Sequence, residues 1–69
     1  MVPVAGFVIL VEGGGFLGQD GGTTANIESA WDSAEFEAAE ARAIALGIDP
    51  IWVAEYVVES GQRQLAYAD

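Results

Sequence analysis

The sequence predicts an α+β fold in which one helix packs on an antiparallel sheet of three or four strands, in the order ββαβ or ββαββ. Three observations support this prediction: an apolar, β-branched run at Val2–Val11, one Glu- and Ala-rich segment with helical periodicity, and an alternating run at Ile51–Ser60. With 69 residues, the chain is expected to form a single domain over 1–69, near the smallest size that folds alone.

The first half of the chain predicts a strand hairpin. Val2–Val11 is hydrophobic at successive positions, which is typical of a strand in the centre of a sheet. Gly13–Gly15 breaks this pattern and Phe16-Leu17 resumes it, so a flexible turn and a short second strand are expected. Asp20-Gly21 is a strong local turn signal.

The helix is predicted from its caps and its periodicity. Asp32 occupies the expected N-cap position, and Glu35 three residues later completes a capping-box pattern. The helix is expected to extend to Leu46, with Gly47 as the residue that ends it. The side chains that share one stripe and should face the sheet are Phe36, Ala39, Ala43 and Leu46.

The last third of the sequence predicts a strand, a turn and a second strand that pairs back along the first. Along Ile51–Ser60, one face is expected to carry Trp52, Ala54, Tyr56 and Val58. Gly61-Gln62 is a candidate turn, and Arg63–Tyr67 a candidate edge strand.

Aromatic residues are expected to supply much of the core, and the two arginines to pair with carboxylates. The aromatic core residues expected are Phe7, Phe16, Phe36, Trp52 and Tyr56. Trp31 is interpreted as either a hydrophobic staple or an interface anchor, because tryptophan is enriched at binding hot spots.

Charge is the strongest functional signal. Eleven Asp and Glu residues face only two Lys or Arg residues and no His, which gives a formal net charge of −9. Such a charge destabilises the compact state and steers the protein towards basic surfaces, and large basic surfaces in cells belong mostly to proteins that bind nucleic acid. The chain has no basic patch, so direct nucleic-acid binding is not expected.

A membrane role is not expected either. Anionic lipid would repel the chain, and Met1–Val11 is too short to span a bilayer and has no basic flank. The protein is therefore predicted to be soluble and cytoplasmic.

No residue pattern indicates an enzyme, a cofactor or a metal site. Gly13–Gly18 matches G-x-G-x-x-G, but turn-forming residues follow it where the dinucleotide motif needs a helix. Pairs such as Glu37/Glu40 and Glu55/Glu59 would need a cleft to divide acid and base roles, and no His or Lys is present to activate a hydroxyl nucleophile. Without Cys or His, only carboxylates could hold a metal, and Asp20 has no second ligand at calcium-loop spacing.

A resemblance covers most of residues 6–60. The segments that carry it are Gly6–Val11, Gly15–Gly22, Ile27–Trp31 and Phe36–Ala41. In sequence, size, acidity and layout the chain resembles small phage and prophage proteins, among them the anti-CRISPR proteins and other inhibitors of host nucleic-acid machines. The resemblance implies stoichiometric inhibition by occlusion inside a bacterial host cell, with carboxylates meeting the Arg and Lys residues that would contact DNA or RNA.

The leading hypothesis is therefore a non-enzymatic inhibitor whose acidic surface binds a basic nucleic-acid-binding protein, with a CRISPR effector complex as its most specific form. The residues expected to contact the partner are Asp32, Glu35, Glu37, Glu40, Glu55, Glu59 and Trp31. The alternative is a structural or assembly module that self-associates, for instance as a homodimer, through an exposed edge or face around Val4–Val11. A third hypothesis is a small hydrolase built on paired carboxylates.

Overall fold

The structure is a computed structural model that describes residues 3–66. Its strands are β1 (Gly6–Ile9), β2 (Phe16–Leu17), β3 (Thr23–Thr24), β4 (Asp32–Ser33), β5 (Val53–Glu59) and β6 (Gln62–Leu65). The helix α1 spans Phe36–Ala45, and short 3₁₀ turns span Ile27–Ser29 and Pro50–Trp52. This arrangement confirms the predicted α+β class.

The main sheet has four antiparallel strands in the order β4-β1-β5-β6, and β2 pairs with β3 in a small second sheet. The predicted central position of the first strand is confirmed, because β1 pairs with β4 on one side and β5 on the other. The apolar N-terminal run is therefore not a sheet edge. The two edges are β4 and β6.

Each face of the main sheet is covered by a different part of the chain. On one face, α1 packs on β1 and also contacts β4 and β5, burying Ile9 and Ala43 together with Leu17. On the opposite face, Val8, Ala54 and Tyr56 pack against Ala30 and the segment that leads to it. We call these the helix side and the loop side of the sheet. Successive residues of β1 alternate between the two sides, as the pleat of a strand requires.

The start of the helix corrects one prediction. Asp32 is not the N-cap: it lies in β4, where it pairs with Val8, and the N-cap is Glu35, whose side chain makes no capping bond. Ser33 orders this junction instead, because its hydroxyl accepts a hydrogen bond from the Glu35 N–H at 3.1 Å. Strand pairing with a distant segment took priority over the local capping pattern, which carries no information about long-range partners.

The end of the helix confirms the prediction for Gly47. The Ile48 N–H bonds to the Ala43 carbonyl at 2.8 Å and the Gly47 N–H to the Ile44 carbonyl at 3.0 Å, which is the Schellman pattern. Gly47 has a φ of +75°, a left-handed conformation that glycine adopts without steric cost. Helix formation itself stops at Ala45, one residue before the expected end.

Several predicted core residues are only partly buried. Phe36 and Leu46 are 45% and 47% exposed, whereas Ala39 and Ala43 between them are fully buried, so the helix packs through its small residues. Phe7 and Phe16 are half-buried, and Phe7 packs edge-on against Phe36 with ring centroids 5.6 Å apart.

The prediction that Trp52 is a core residue is wrong. Trp52 is 39% exposed, because Pro50–Trp52 forms a 3₁₀ turn and the strand begins only at Val53. Asp49 nucleates this turn, since its carboxylate accepts a hydrogen bond from the Ile51 N–H at 3.0 Å.

The predicted closing hairpin is confirmed, with its turn and its second strand each beginning one residue earlier than expected. Ser60 and Gly61 both have positive φ and form the two-residue turn, and β6 follows as the edge strand from Gln62 to Leu65. The predicted strand ends at Val2 and Tyr67 lie outside the described residues. Within residues 3–66, no helix has the length and apolar content needed to cross a bilayer.

Candidate interaction surface

Two of the predicted contact residues, Glu55 and Glu59, lie on the helix side of the sheet. Glu55 is directly opposite Phe7, and Phe7 contacts Phe36 of the helix. Opposed residues of antiparallel strands share a face, so the Glu55 side chain projects to the helix side. Glu59, four residues further along β5, projects the same way, and both side chains are exposed.

The carboxylates of the helix reach the same side. With 100° between successive residues, Glu40 and Arg42 lie on opposite flanks of the buried Ala39–Ala43 stripe, each about 80° from its centre. Arg42 lies over the ring of Trp31, which immediately precedes β4. Because β4 and β5 are on opposite sides of β1, the Glu40 flank faces β5.

Glu35 and Glu37 lie at the exposed start of the same helix. The structure thus brings five of the predicted carboxylates to one side of the sheet. We call this set the acidic face; its members are Glu35, Glu37, Glu40, Glu55 and Glu59.

No ion pair within the described residues engages the acidic face. Within residues 3–66, the single salt bridge joins Arg63 to Asp32, and no hydrogen bond engages a side-chain oxygen of the five glutamates. The other cation, Arg42, lies on the flank of the helix opposite to Glu40, with its guanidinium carbon 5.4 Å from the Trp31 ring centroid. Like charges on one surface raise the local negative potential and attract a basic partner.

Asp32 does not join the acidic face. It is opposite Val8 and therefore lies on the loop side, where it accepts the Tyr56 hydroxyl at 2.6 Å and lies 3.5 Å from Arg63 Nη2. Only 32% of its side-chain surface is exposed. Burial and the hydrogen bond to Asp32 raise the pKa of Tyr56. The carboxylate of Asp32 therefore has a structural role, because it links Tyr56 of β5 and Arg63 of β6 to β4.

Trp31 has a mainly structural environment. Its side chain is half-buried against Ile9, Leu17 and Ala43, and its backbone N–H donates to the Leu17 carbonyl at 2.8 Å. Arg42 lies over the indole ring in a cation–π arrangement. Trp31 therefore supports the helix side from within, and Arg42 occupies one face of its ring.

Three further carboxylates have internal roles, of which the sequence predicts only the turn at Asp20. Asp20 accepts a hydrogen bond from the Gly22 N–H at 2.9 Å and so fixes the turn between β2 and β3. Glu28 accepts the outward N–H of Arg63 on the edge strand β6, and Asp49 caps the 3₁₀ turn. The Asp49-Pro50 pair is itself a capping signal in the sequence, whereas nothing local indicates that Glu28 reaches β6.

Among the cavities of the described surface, a wide, polar one lies on the loop side, between the turn that Asp20 fixes and the first 3₁₀ turn. A smaller one, of about 250 Å³, lies beyond the C-terminal end of α1. Its lining residues are Val11, Glu12, Gly47, Ile48, Asp49 and Trp52.

The described residues hold no cluster of three or more side chains suited to bind a metal ion. Comparison with known protein families, with characterised proteins and with solved structures finds no significant match to this chain.

Proposed function

We propose that this protein is a non-enzymatic inhibitor that binds a basic, nucleic-acid-binding protein through the acidic face. The observation that carries the proposal is the placement of five glutamates on the helix side, none of which forms a salt bridge within residues 3–66. The most specific form of the proposal is a CRISPR effector complex as the partner, which would place the protein in the cytoplasm of a bacterial cell.

Carboxylates can compete for the sites that hold phosphates. Arg and Lys side chains that contact a nucleic-acid backbone form charge-assisted hydrogen bonds, and a carboxylate offers the same acceptor chemistry. An array of carboxylates on a fixed scaffold would thus occupy such a surface one-to-one and exclude the nucleic acid. The consequence is inhibition that depends on stoichiometry rather than on turnover.

The scaffold under the acidic face is well ordered by its packing. Glu55 lies next to Ala54 and Tyr56, which are both buried in the sheet. Glu40 follows Ala39, which is fully buried under the helix. A fixed backbone reduces the ordering entropy that binding must overcome, and the cost that remains is the ordering of the glutamate side chains themselves.

The test is capture from a nuclease-treated bacterial lysate by the immobilised protein, at about 0.1 M and about 0.5 M salt. The Debye length is about 10 Å at the lower salt concentration and well below that at the higher one, so only the higher concentration screens the exposed charges strongly. We expect one basic nucleic-acid-binding complex to be retained at low salt and lost at high salt. The purified complex should then lose its nucleic-acid binding when one equivalent of the protein is added.

The control separates the acidic face from net charge. A double variant, Glu37→Gln with Glu40→Gln, removes two charges from the face, whereas Gln19→Lys with Ala25→Lys changes the net charge equally at exposed positions between β1 and β4. The first variant should lose the partner and the second should keep it. Equal retention by both variants, or retention that salt does not change, would rule the proposal out.

The alternative of self-association is tested by sedimentation of the same protein. Its motivation was the apolar run Val4–Val11, but β1 is interior and its residues Gly6, Val8 and Ile9 are buried. The N–H of Arg63 on the edge strand β6 is also engaged, by Glu28. A concentration-dependent dimer would nevertheless replace the proposal of an inhibitor with that of an assembly module.

A further inference from the structure

The small cavity at the end of α1 has two rigid walls. On one side, the Schellman turn fixes Gly47 and Ile48, and Ile48 packs into the core beside Ala43. On the other side, the backbone N–H of Val11 closes the glycine turn by donating to the Gly15 carbonyl at 3.2 Å. The Leu10 N–H bonds to the Trp52 carbonyl at 2.9 Å and so ties Trp52 to the segment that carries Val11.

The cavity combines an aromatic wall with negative charge. Trp52 lines it and is 39% exposed, and Glu12 and Asp49 are exposed carboxylates at the same opening. Asp49 uses one oxygen, Oδ1, to cap the 3₁₀ turn, which leaves Oδ2 available. Neither arginine of the described chain lines this cavity. The C-terminal end of α1 adds the negative end of its dipole.

We infer that this cavity binds one arginine side chain of the partner protein. A guanidinium is planar, stacks on an indole ring and forms paired hydrogen bonds with carboxylates, and these are the groups that line the cavity. The volume of about 250 Å³ is below the roughly 300–1,000 Å³ of sites for drug-sized ligands, so it suits a single side chain.

This inference rests on the proposed function and makes it more specific. The acidic face would attract a basic surface over a distance, whereas the Trp52 cavity would hold one residue of that surface in a fixed position. Steering by exposed charge acts mostly on the association rate, and a buried anchor acts mostly on dissociation. The two elements lie on and beyond the same helix, so one partner could contact both.

The experiment is an NMR titration of the isotopically labelled protein with N-acetyl-glycyl-arginyl-glycinamide. The control peptide has citrulline in place of arginine, which keeps the shape and removes the charge. We expect saturable shifts at the Trp52 indole N–H and at the amides of Glu12 and Gly47–Asp49, with little response to citrulline. Trp52→Phe assigns the indole signal.

Two charge-neutralising variants test the carboxylates without disturbing the fold. In Asp49→Asn, the side-chain oxygen still accepts the Ile51 N–H, and Glu12→Gln changes an exposed residue. Each variant should lower the affinity for the arginine peptide at least threefold. Asp20→Asn, which preserves a turn of the same kind at the other cavity, should leave the affinity unchanged.

Three results would overturn the inference. One is equal binding of arginine and citrulline peptides, another is an unchanged affinity in both cavity variants, and the third is shifts confined to Glu40, Glu55 and Glu59. The last result would leave the proposed function intact, because the acidic face would still bind basic groups. Saturable binding at Trp52 together with salt-independent capture would instead remove the proposed function and leave the cavity as an arginine site.

Discussion

Tyr56 donates its phenolic hydrogen to Asp32 Oδ2 at 2.6 Å, although the two residues are 24 positions apart. The bond crosses the loop side of the sheet from β5 to β4, over the central strand β1. Arg63 completes the group: its guanidinium lies 4.9 Å from the Tyr56 ring centroid and 3.5 Å from Asp32. Arg63 also donates to the carbonyls of Ile27 and Ala30. This polar cluster therefore connects the segment around Ile27 and Ala30, which packs on the loop side, to the sheet.

The first prediction concerns alkaline pH. Burial, followed by the bond to Asp32, raises the pKa of Tyr56 in the folded chain. The folded state therefore holds this proton more tightly than the unfolded state, whose tyrosine pKa is about 10. The stabilisation is complete below pH 10 and is lost as the pH rises through the folded value. As the pH rises above 10, the melting temperature of Tyr56→Phe should fall less than that of the native chain. Parallel curves of melting temperature against pH for the two proteins would contradict this.

The second prediction concerns Asp32. Asp32→Ala leaves the Tyr56 hydroxyl without its acceptor and removes the ion pair with Arg63, which should cost about 1–3 kcal/mol of unfolding free energy. Glu35→Ala is the matched control, because Glu35 is exposed and its side chain makes no capping bond. It should change stability by no more than about 0.5 kcal/mol. Urea unfolding of the two variants measures the difference, and equal losses would show that Asp32 is not a structural residue.

The third prediction concerns two glycines required for different reasons. A Cβ on Gly6 would lie 2.8 Å from the Ser33 carbonyl oxygen and 2.9 Å from Tyr56 Cε2, so Gly6→Ala should cost at least about 1–3 kcal/mol by overpacking. A Cβ on Gly47 would meet open space, but its φ of +75° is left-handed, so Gly47→Ala should cost about 1–2 kcal/mol through the backbone alone.

Two readouts distinguish these mechanisms. Gly47→Asn should recover part of the loss, because asparagine tolerates the left-handed region, whereas Gly6→Asn should be worse than Gly6→Ala. Chemical denaturation of the four variants gives the comparison. If asparagine fails to improve on alanine at position 47, backbone strain is not the cause of the loss there.

The fourth prediction concerns salt. Because the chain carries a net charge of −9 and no glutamate of the acidic face forms a salt bridge within residues 3–66, screening should stabilise the fold, and the melting temperature should rise between low salt and about 0.5 M NaCl. The double variant Glu55→Gln with Glu59→Gln should melt higher at low salt and respond less to added salt. A melting temperature that is independent of salt in the native chain would show that these carboxylates do not repel one another appreciably.

The sequence was sufficient for those elements whose signals are local. The glycine turn, the Asp20-Gly21 turn and the Gly47 helix end follow from backbone preferences of neighbouring residues, and the structure confirms them. Asp32 was misassigned because its role depends on Val8 and Tyr56, which are distant in the chain. No local pattern distinguishes a capping aspartate from one that pairs in a strand.

The candidate site was predictable in part for the same reason. Alternation in β5 places Glu55 and Glu59 together, and helical periodicity keeps Glu37 and Glu40 out of the buried stripe, with Glu37 exposed and Glu40 half-buried. That these pairs share one side of the sheet depends on the register of β1 with β5, which pattern alone does not determine. The Trp52 cavity was missed because it forms where three separate turns converge.

The position of β1 has a consequence for how the chain folds. Ile9 and Val53 are directly opposite in the sheet but 44 positions apart in the chain, so the central pairing requires closure of a long loop. Because β1 precedes β5 in the chain, β1 is synthesised first and pairs with β5 only after the intervening residues have been made. Local structure, namely the helix with its Schellman turn and the β5–β6 hairpin, is therefore expected to form before the sheet closes. Until β5 pairs with it, one edge of β1 presents unpaired backbone groups, and an unpaired edge of this kind is where strands of separate chains can associate.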